Sequence, residues 1–227
     1  MSLIRNYNYH LRSASLANAS QLDTTALKML QKLSISPSYI PSNFTFGNNP
    51  LLSSLVVKDM ENVPFVVENK KFEGLINLKN LHLEYNSISV IEKYGLATIA
   101  NLESLDLQKN LIENIEDLSF QNLTKLKFLH IDGNRIEHIS LGVFHNFRTL
   151  YFLDIAENPL KEFVPSKKFP EKPPLPYLTS MQWSGTSLNA DNFKYARSRL
   201  LVNMFVCCSS NLINKFYFSK AEFLGFY

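Results

Sequence analysis

LKNLHLEYNSISVI, residues 78–91, returns as LESLDLQKNLIENI at 102–115, as LKFLHIDGNRIEHI at 126–139 and as LYFLDIAENPLKEF at 150–163. Each copy starts 24 residues after the one before, without slippage. Leu81, Leu105, Leu129 and Leu153 form one column, Leu83, Leu107, Ile131 and Ile155 a second, and Asn86, Asn110, Asn134 and Asn158 a third. The stretches between the copies repeat too, with Phe72, Leu96, Phe120 and Phe144 in one column and Leu75, Ile99, Leu123 and Phe147 in another. Self-similarity at a fixed period of this length is the mark of a solenoid in which each repeat makes one coil.

The residue types follow from that geometry. Alternate side chains of a short strand point to opposite faces, so Leu81 and Leu83 turn inward while His82 and Glu84 turn outward. A coil cannot bury its apolar face alone and needs its neighbours on both sides. The Asn column sits where the chain leaves each strand, and an inward amide there can satisfy backbone groups of its own and the adjacent coil. Asn86, Asn110, Asn134 and Asn158 are therefore expected to form a buried ladder, as scaffold and not as site.

These residues resemble the leucine-rich-repeat superfamily, specifically the 24-residue class common in Toll-like receptor ectodomains and other extracellular recognition proteins. The resemblance covers 72–163, with weaker extensions on both sides. It implies an α/β-type repeat solenoid: a horseshoe with a parallel concave β-sheet, irregular or short helical convex segments and helical caps. It also implies partner binding on the concave sheet.

The expected organisation has three parts. Residues 1–50 form an N-terminal cap, in which Asp23 or Thr24 caps a helix running toward Leu33 with Leu27, Met29 and Leu30 on its apolar side. Residues 51–188 hold about six repeats. The first is degenerate, with Leu51, Val57, Asn62, Val67 and Phe72 in register but Ser54, Asp59 and Pro64 in three of the apolar columns. The last, around Leu178, Met181, Trp183, Thr186 and Leu188, is displaced by 28 residues, and the extra length falls in the Pro- and Lys-rich stretch 165–176, read as an extended surface loop. Residues 189–227 are read as a capping helix, 191–208, followed by an aromatic tail containing Phe216, Tyr217 and Phe218 that folds back onto the last coil, leaves an apolar patch, or marks a chain that continues further.

Composition narrows the function. Twenty-three basic against 20 acidic residues give a net charge of +3, too even a balance to point to nucleic acid. The apolar run 200–208 is far shorter than the roughly 20 residues a membrane-spanning helix needs. No nucleophile, metal or closed pocket accompanies the histidines, so neither catalysis nor a cofactor is expected. The two cysteines, Cys207 and Cys208, are adjacent and offer no Cys/His spacing for a metal.

Compartment has two readings. The resemblance favours a receptor or secreted recognition protein represented by an incomplete chain. Residues 1–20 lack the apolar core of a signal peptide, and Lys161 stands where a cap cysteine is expected, which favours a cytoplasmic adaptor or regulatory subunit. The sequons at Asn18, Asn43 and Asn122 do not discriminate, because a chain this rich in Asn, Ser and Thr contains about three by chance. The Lys-x-x-Pro-x-x-Pro pattern at 167–173 is read as part of the insertion loop, with recognition by a Src-homology-3-type domain as the alternative.

The candidate surface is the set of outward strand residues. Phe128 and Phe152 are expected side by side on adjacent strands as an aromatic anchor, bordered by Asp106, Asp132 and Asp154. His82, Asp106, His130 and Asp154 alternate along one column, which predicts raised histidine pKa values. Glu84 and Tyr85 complete the edge where the chain leaves the strand. Acidic residues predominate on this face, so the expected partner is a protein, preferably a basic one; the sequence does not decide oligomeric state.

Overall fold

The computed structural model describes residues 13–16, 29–36, 44–47, 49–169, 175, 177–188, 205–206 and 215–217. Its main element is a ten-stranded sheet in which strands of consecutive coils lie side by side. Asn80–His82, Ser104–Asp106, Phe128–His130 and Phe152–Asp154 pair in parallel, with Leu81, Leu105, Leu129 and Leu153 directly opposite one another. Those leucines are at most 1% exposed, as are Leu83, Leu107, Ile131 and Ile155, and they run as one continuous core through the stack. Convex segments return the chain between strands. They consist of irregular backbone, the 3-10 helices Asn69–Phe72 and Leu141–Phe144, and short strands such as His138–Ser140 paired with Glu162–Val164. The fold is a leucine-rich-repeat solenoid, almost devoid of helix among the described residues.

The asparagine ladder is present as expected. The Asn110 amide nitrogen donates to the carbonyls of Leu107 and Gln108 in its own coil and of Leu83 in the preceding one, and its oxygen accepts from Ile88 N–H at 3.1 Å. Asn134 and Asn158 repeat this pattern, and Asn86 bridges Leu83, Val57 and Met60. The residue before each ladder position has a left-handed backbone: Asp59, Tyr85, Lys109, Gly133, Glu157 and Gly185 all have φ between 53° and 72°. A non-glycine residue there costs roughly 1–2 kcal/mol, and the amide bonds that follow offset it. The ladder ends at Thr186, whose hydroxyl reaches only its own coil, donating to Trp183 O at 2.8 Å.

Four expectations need correction. First, the coil at Leu55 departs from the repeat at other positions than expected: Leu55 lies opposite Leu81 and Met60 opposite Asn86, an offset of 26 residues, so Leu52, Leu55 and Val57 fill the apolar columns, Met60 takes the asparagine position and Asn62 is out of register. The two extra residues are absorbed by an irregularity between Met60 and Pro64, and Val67 is back opposite Ile91. Second, no helix runs to Leu33. Lys32–Ile35 is a parallel strand against Ser54–Val57, with Leu30, Leu33 and Ile35 buried, and Ser13–Leu16 pairs with it in turn. Third, Phe205–Val206, the end of the expected C-terminal helix, is a strand. It pairs with Lys215–Tyr217, which lies antiparallel along Ser180–Gln182, so the aromatic tail does return to the last coil. The rest of both expected helices, 23–28, 191–204 and 207–208, lies outside the described residues, as do Asn18, Asn43 and Pro170. Fourth, the insertion starts as a pinned turn instead of an extended loop. Ser166 is buried, donates to Asp117 at 2.6 Å and accepts from the Lys168 and Phe169 amides, and Phe169 stacks on His145 at 3.7 Å. Among the described residues no helix is long and apolar enough to cross a membrane.

Candidate functional site on the concave face

Each central strand contributes three residues, the middle one buried and the outer two turned to the concave side. The register therefore fixes two outward columns. Asn80, Ser104, Phe128, Phe152 and Ser180 form the first; His82, Asp106, His130, Asp154 and Gln182 form the second. Glu84 and Asp132 follow two residues beyond His82 and His130 on the same side, and Tyr85 stands exposed at the strand exit. The structure thus brings eight of the nine expected residues onto the concave side and sets Tyr85 at its edge.

The aromatic pair is asymmetric. Phe128 is 44% exposed, whereas Phe152 is half-buried with its ring on the His130 imidazole, centroids 5.0 Å apart. Tyr151, 42% exposed and adjacent to Phe152, widens the aromatic surface. In the three coils before it the same column is charged, with Glu103 held between Lys79 at 3.2 Å and Lys127 at 2.6 Å, and for that reason Tyr151 does not stand out in the sequence.

The titratable column divides into two sets. At one end His82 Nδ1 lies 3.8 Å from Asp106 Oδ2, and Gln108 donates its backbone amide to Asp106 Oδ1 and its side chain to Oδ2. Hydrogen bonding to Asp106 raises the His82 pKa despite partial burial, with the Glu84 and Asp106 charges adding to it. Burial pushes the Asp106 carboxyl upward, but the His82 and Gln108 hydrogen bonds and the nearby imidazoles outweigh it and leave the value below the ordinary one. At the other end no side-chain donor braces the acids, because Ala156 occupies the position of Gln108. Burial first and the Asp154 charge second push Asp132 up to about 6. Asp154 is also raised, by burial, only partly countered by the Ala156 amide and the His130 charge.

Each set places three donor atoms, one per residue, within 4.8 Å of one another: His82, Glu84 and Asp106, then His130, Asp132 and Asp154. These residues are the ones in this structure able to hold a metal ion, among those described. Spacing along the chain conceals the grouping, since each set joins residues of one strand to a residue 24 positions away. The same pairing across coils hides a second feature. Lys109 reaches over Gly133 to pair with Glu157, two coils away, along the exit edge beside Tyr85.

The family profile described as Leucine rich repeat matches residues 50–112 and 100–160. Among solved structures, a chain of the Toll–Spatzle complex of Drosophila is similar with a TM-score of 0.62 and 20% identity, over 77% of this chain and 23% of that one. A chain of the TLR13–ssRNA13 complex is similar with a TM-score of 0.56 and 22% identity, over 82% of this chain and 31% of that one. This chain therefore spans less than a third of the length of either, and at such identities the likeness is one of fold. No curated protein sequence matches it. The 24-residue register, the asparagine ladder and the profile match together place the chain in the leucine-rich-repeat superfamily.

Proposed function

We propose that this chain is a non-catalytic recognition module that binds a protein partner on its concave face, around Phe128 and Phe152. The observation that carries the reading is the exposed Phe128 ring, set beside Phe152 and Tyr151 within a border of Asp106, Asp132 and Asp154. Exposed aromatics enclosed by polar residues are the usual anchors of protein interfaces, since they bury large area at low entropic cost. The border favours a basic partner. Asp132 is ionised at neutral pH only against the cost of burial and of the Asp154 charge, and a lysine or arginine brought up to this pair relieves both. The same carboxylates oppose a polyanion, which supports a protein ligand over a nucleic acid, although the TLR13 complex contains single-stranded RNA. His82, Glu84, His130 and Tyr85 complete the proposed surface.

The test is comparative affinity capture with the wild-type chain, the Phe128→Ala/Phe152→Ala double variant, and Ile76→Ala, which alters an exposed apolar residue outside the concave strands. The expected outcome is a partner retained by the wild type and Ile76→Ala and lost from the double variant, a drop of at least ~2 kcal/mol in binding free energy. Unchanged affinity in a folded double variant sinks the proposal.

A further inference from the structure

We propose that His82, Glu84 and Asp106 form a binding site for a divalent transition-metal ion, of which Zn2+ is the type, with an open position facing the concave side. Strand register sets the geometry: His82 stands opposite Asp106 on the neighbouring strand, and Glu84 follows His82 on the same face. One donor atom from each of the three residues already lies within 4.8 Å of the other two. Closing them on an ion at about 2.0–2.2 Å requires rotations of His82 and Glu84, whose side chains are only partly buried. One imidazole nitrogen with two carboxylate oxygens suits Zn2+ better than the all-oxygen shells of Ca2+ or Mg2+. Three protein ligands leave a fourth position for water or for a donor group of a bound partner.

Two further observations point to a ligand. Glu84 is only partly buried, but its Oε2 is shielded from solvent and has no hydrogen-bond partner, so this one oxygen has given up its water without receiving a donor in exchange. A buried acceptor in that state is unfavourable, and a bound cation supplies the partner it lacks. Asp106 is only 9% exposed, and Gln108 holds both of its oxygens, one through the backbone amide at 3.0 Å and one through the side chain at 3.2 Å. A ligand carboxylate braced by a second layer of donors is the arrangement metal sites use to fix ligand orientation. The set His130, Asp132 and Asp154 repeats the three donors 48 residues later without either feature, because none of its oxygens is both shielded and unpartnered and Ala156 replaces Gln108. It is therefore the weaker of the two and serves as an internal comparison. The inference does not depend on the partner reading, since the ion binds the isolated chain.

The experiment is calorimetric titration of the chelator-stripped full chain with ZnCl2, and separately with CaCl2 and MgCl2, alongside melting with and without Zn2+. The expected result is one tight Zn2+ event accompanied by a rise in melting temperature. Loss of a supporting group around a metal costs roughly 10–100-fold in affinity, so Glu84→Gln and His82→Gln, which remove direct ligands, are each expected to weaken this event by at least ~10-fold. His130→Gln leaves it in place. All three variants are first compared with the wild type by melting without metal, and either ligand variant that folds suffices. The proposal is overturned by the absence of a tight Zn2+ event, by an event that survives in a folded ligand variant, by one lost with His130→Gln instead, or by binding of Ca2+ or Mg2+ only.

Discussion

At the scale of single residues, the concave face combines groups that are satisfied with groups that are not. The ladder amides are satisfied, and removing one strands several partners at once. Asn110→Ala leaves the Leu83, Leu107 and Gln108 carbonyls and the Ile88 amide without the bonds they make now. With roughly 1–3 kcal/mol for each buried group left unpaired, and partial relaxation, a loss of about 3 kcal/mol is expected. Urea denaturation measures it, and a loss under about 1 kcal/mol would show that the ladder is not the stabilising element claimed. Asp132 is the opposite case. Its folded pKa, about 6, lies above the unfolded value near ~3.9. The native state thus holds the proton more tightly, and stability falls as pH rises from about 4 through about 6, then levels off. Asp132→Asn escapes that loss. In chelated protein it should be more stable than the wild type at pH 7.5, by about 1 kcal/mol once solvent screening of a half-buried side chain is allowed for, and no more stable near pH 4. Equal stability of the two proteins at both pH values would refute the burial-and-repulsion account. His82 behaves differently, since its raised pKa reflects a partner: its contribution is present below ~6.5 and fades as pH rises through the folded value. The sequence disclosed the alternating column but not this split, which depends on Gln108 standing in one coil and Ala156 two coils on.

At the scale of the coil, the strand-exit turn governs both fold and surface. Gly133 is one of two glycines in a column that otherwise holds Asp59, Tyr85, Lys109 and Glu157 in the same left-handed conformation. Backbone conformation alone therefore does not demand glycine there, and the space above it does. A Cβ at 133 would come within 2.6 Å of the Lys109 Cδ, on the path by which Lys109 reaches Glu157. Gly133→Ala is expected to cost roughly 1–2 kcal/mol from the positive φ and to release the Lys109 side chain. A double-mutant cycle between Lys109→Met and Glu157→Gln, run with and without Gly133→Ala, measures the release. Coupling present with Gly133 in place and absent in the Gly133→Ala background is the expected pattern, and equal coupling in both rejects it. The coils also show what the repeat pattern can and cannot reveal. A strict 24-residue period found the four coils that keep it and set Asn80–His82 through Phe152–Asp154 in the observed register. It misread the coil at Leu52, Leu55 and Val57 because two additional residues between Met60 and Pro64 shift the strand against the period. Upstream, Leu27, Leu30 and Leu33 are spaced by three, a spacing shared by a helix face and by the approach to a solenoid strand. Pattern alone could not separate them, and at Leu33 the pairing with Ser54–Val57 decides for the strand.

For the whole molecule, stability is a sum over coils and the interfaces between them, so it need not be uniform along the chain. The coils with strands Ser104–Asp106 and Phe128–His130 have a strand on both sides, a ladder asparagine of their own and another in the next coil. Toward the C-terminal end the amide bridge stops at Asn158, an insertion lengthens the connection, and Thr186 supplies only a bond within its own coil. The last coil is held instead by strand pairing to Phe152–Asp154 and by the antiparallel Lys215–Tyr217 strand. Toward the N-terminal end, Lys32–Ile35 precedes the first ladder residue, and the Ile35 carbonyl is met by the Lys58 amide at 3.2 Å in place of a side-chain amide. Local opening free energies should therefore peak in the middle and decline toward both ends. Native-state hydrogen exchange tests this at the paired strands. The amides of Leu105 and Leu129 are expected to exchange at least ~10-fold more slowly than those of Leu33 and Met181, about 1.4 kcal/mol in opening free energy. If all four exchange at one rate, the coils open as a single cooperative unit, and the ladder is not what separates the centre from the ends. The gradient also places the proposed contact surface. Phe128, Asp132 and Asp106 lie on the most protected coils and His82 and Glu84 on the coil beside them, so a partner or an ion meets a site already ordered and little of its binding energy is spent on folding it.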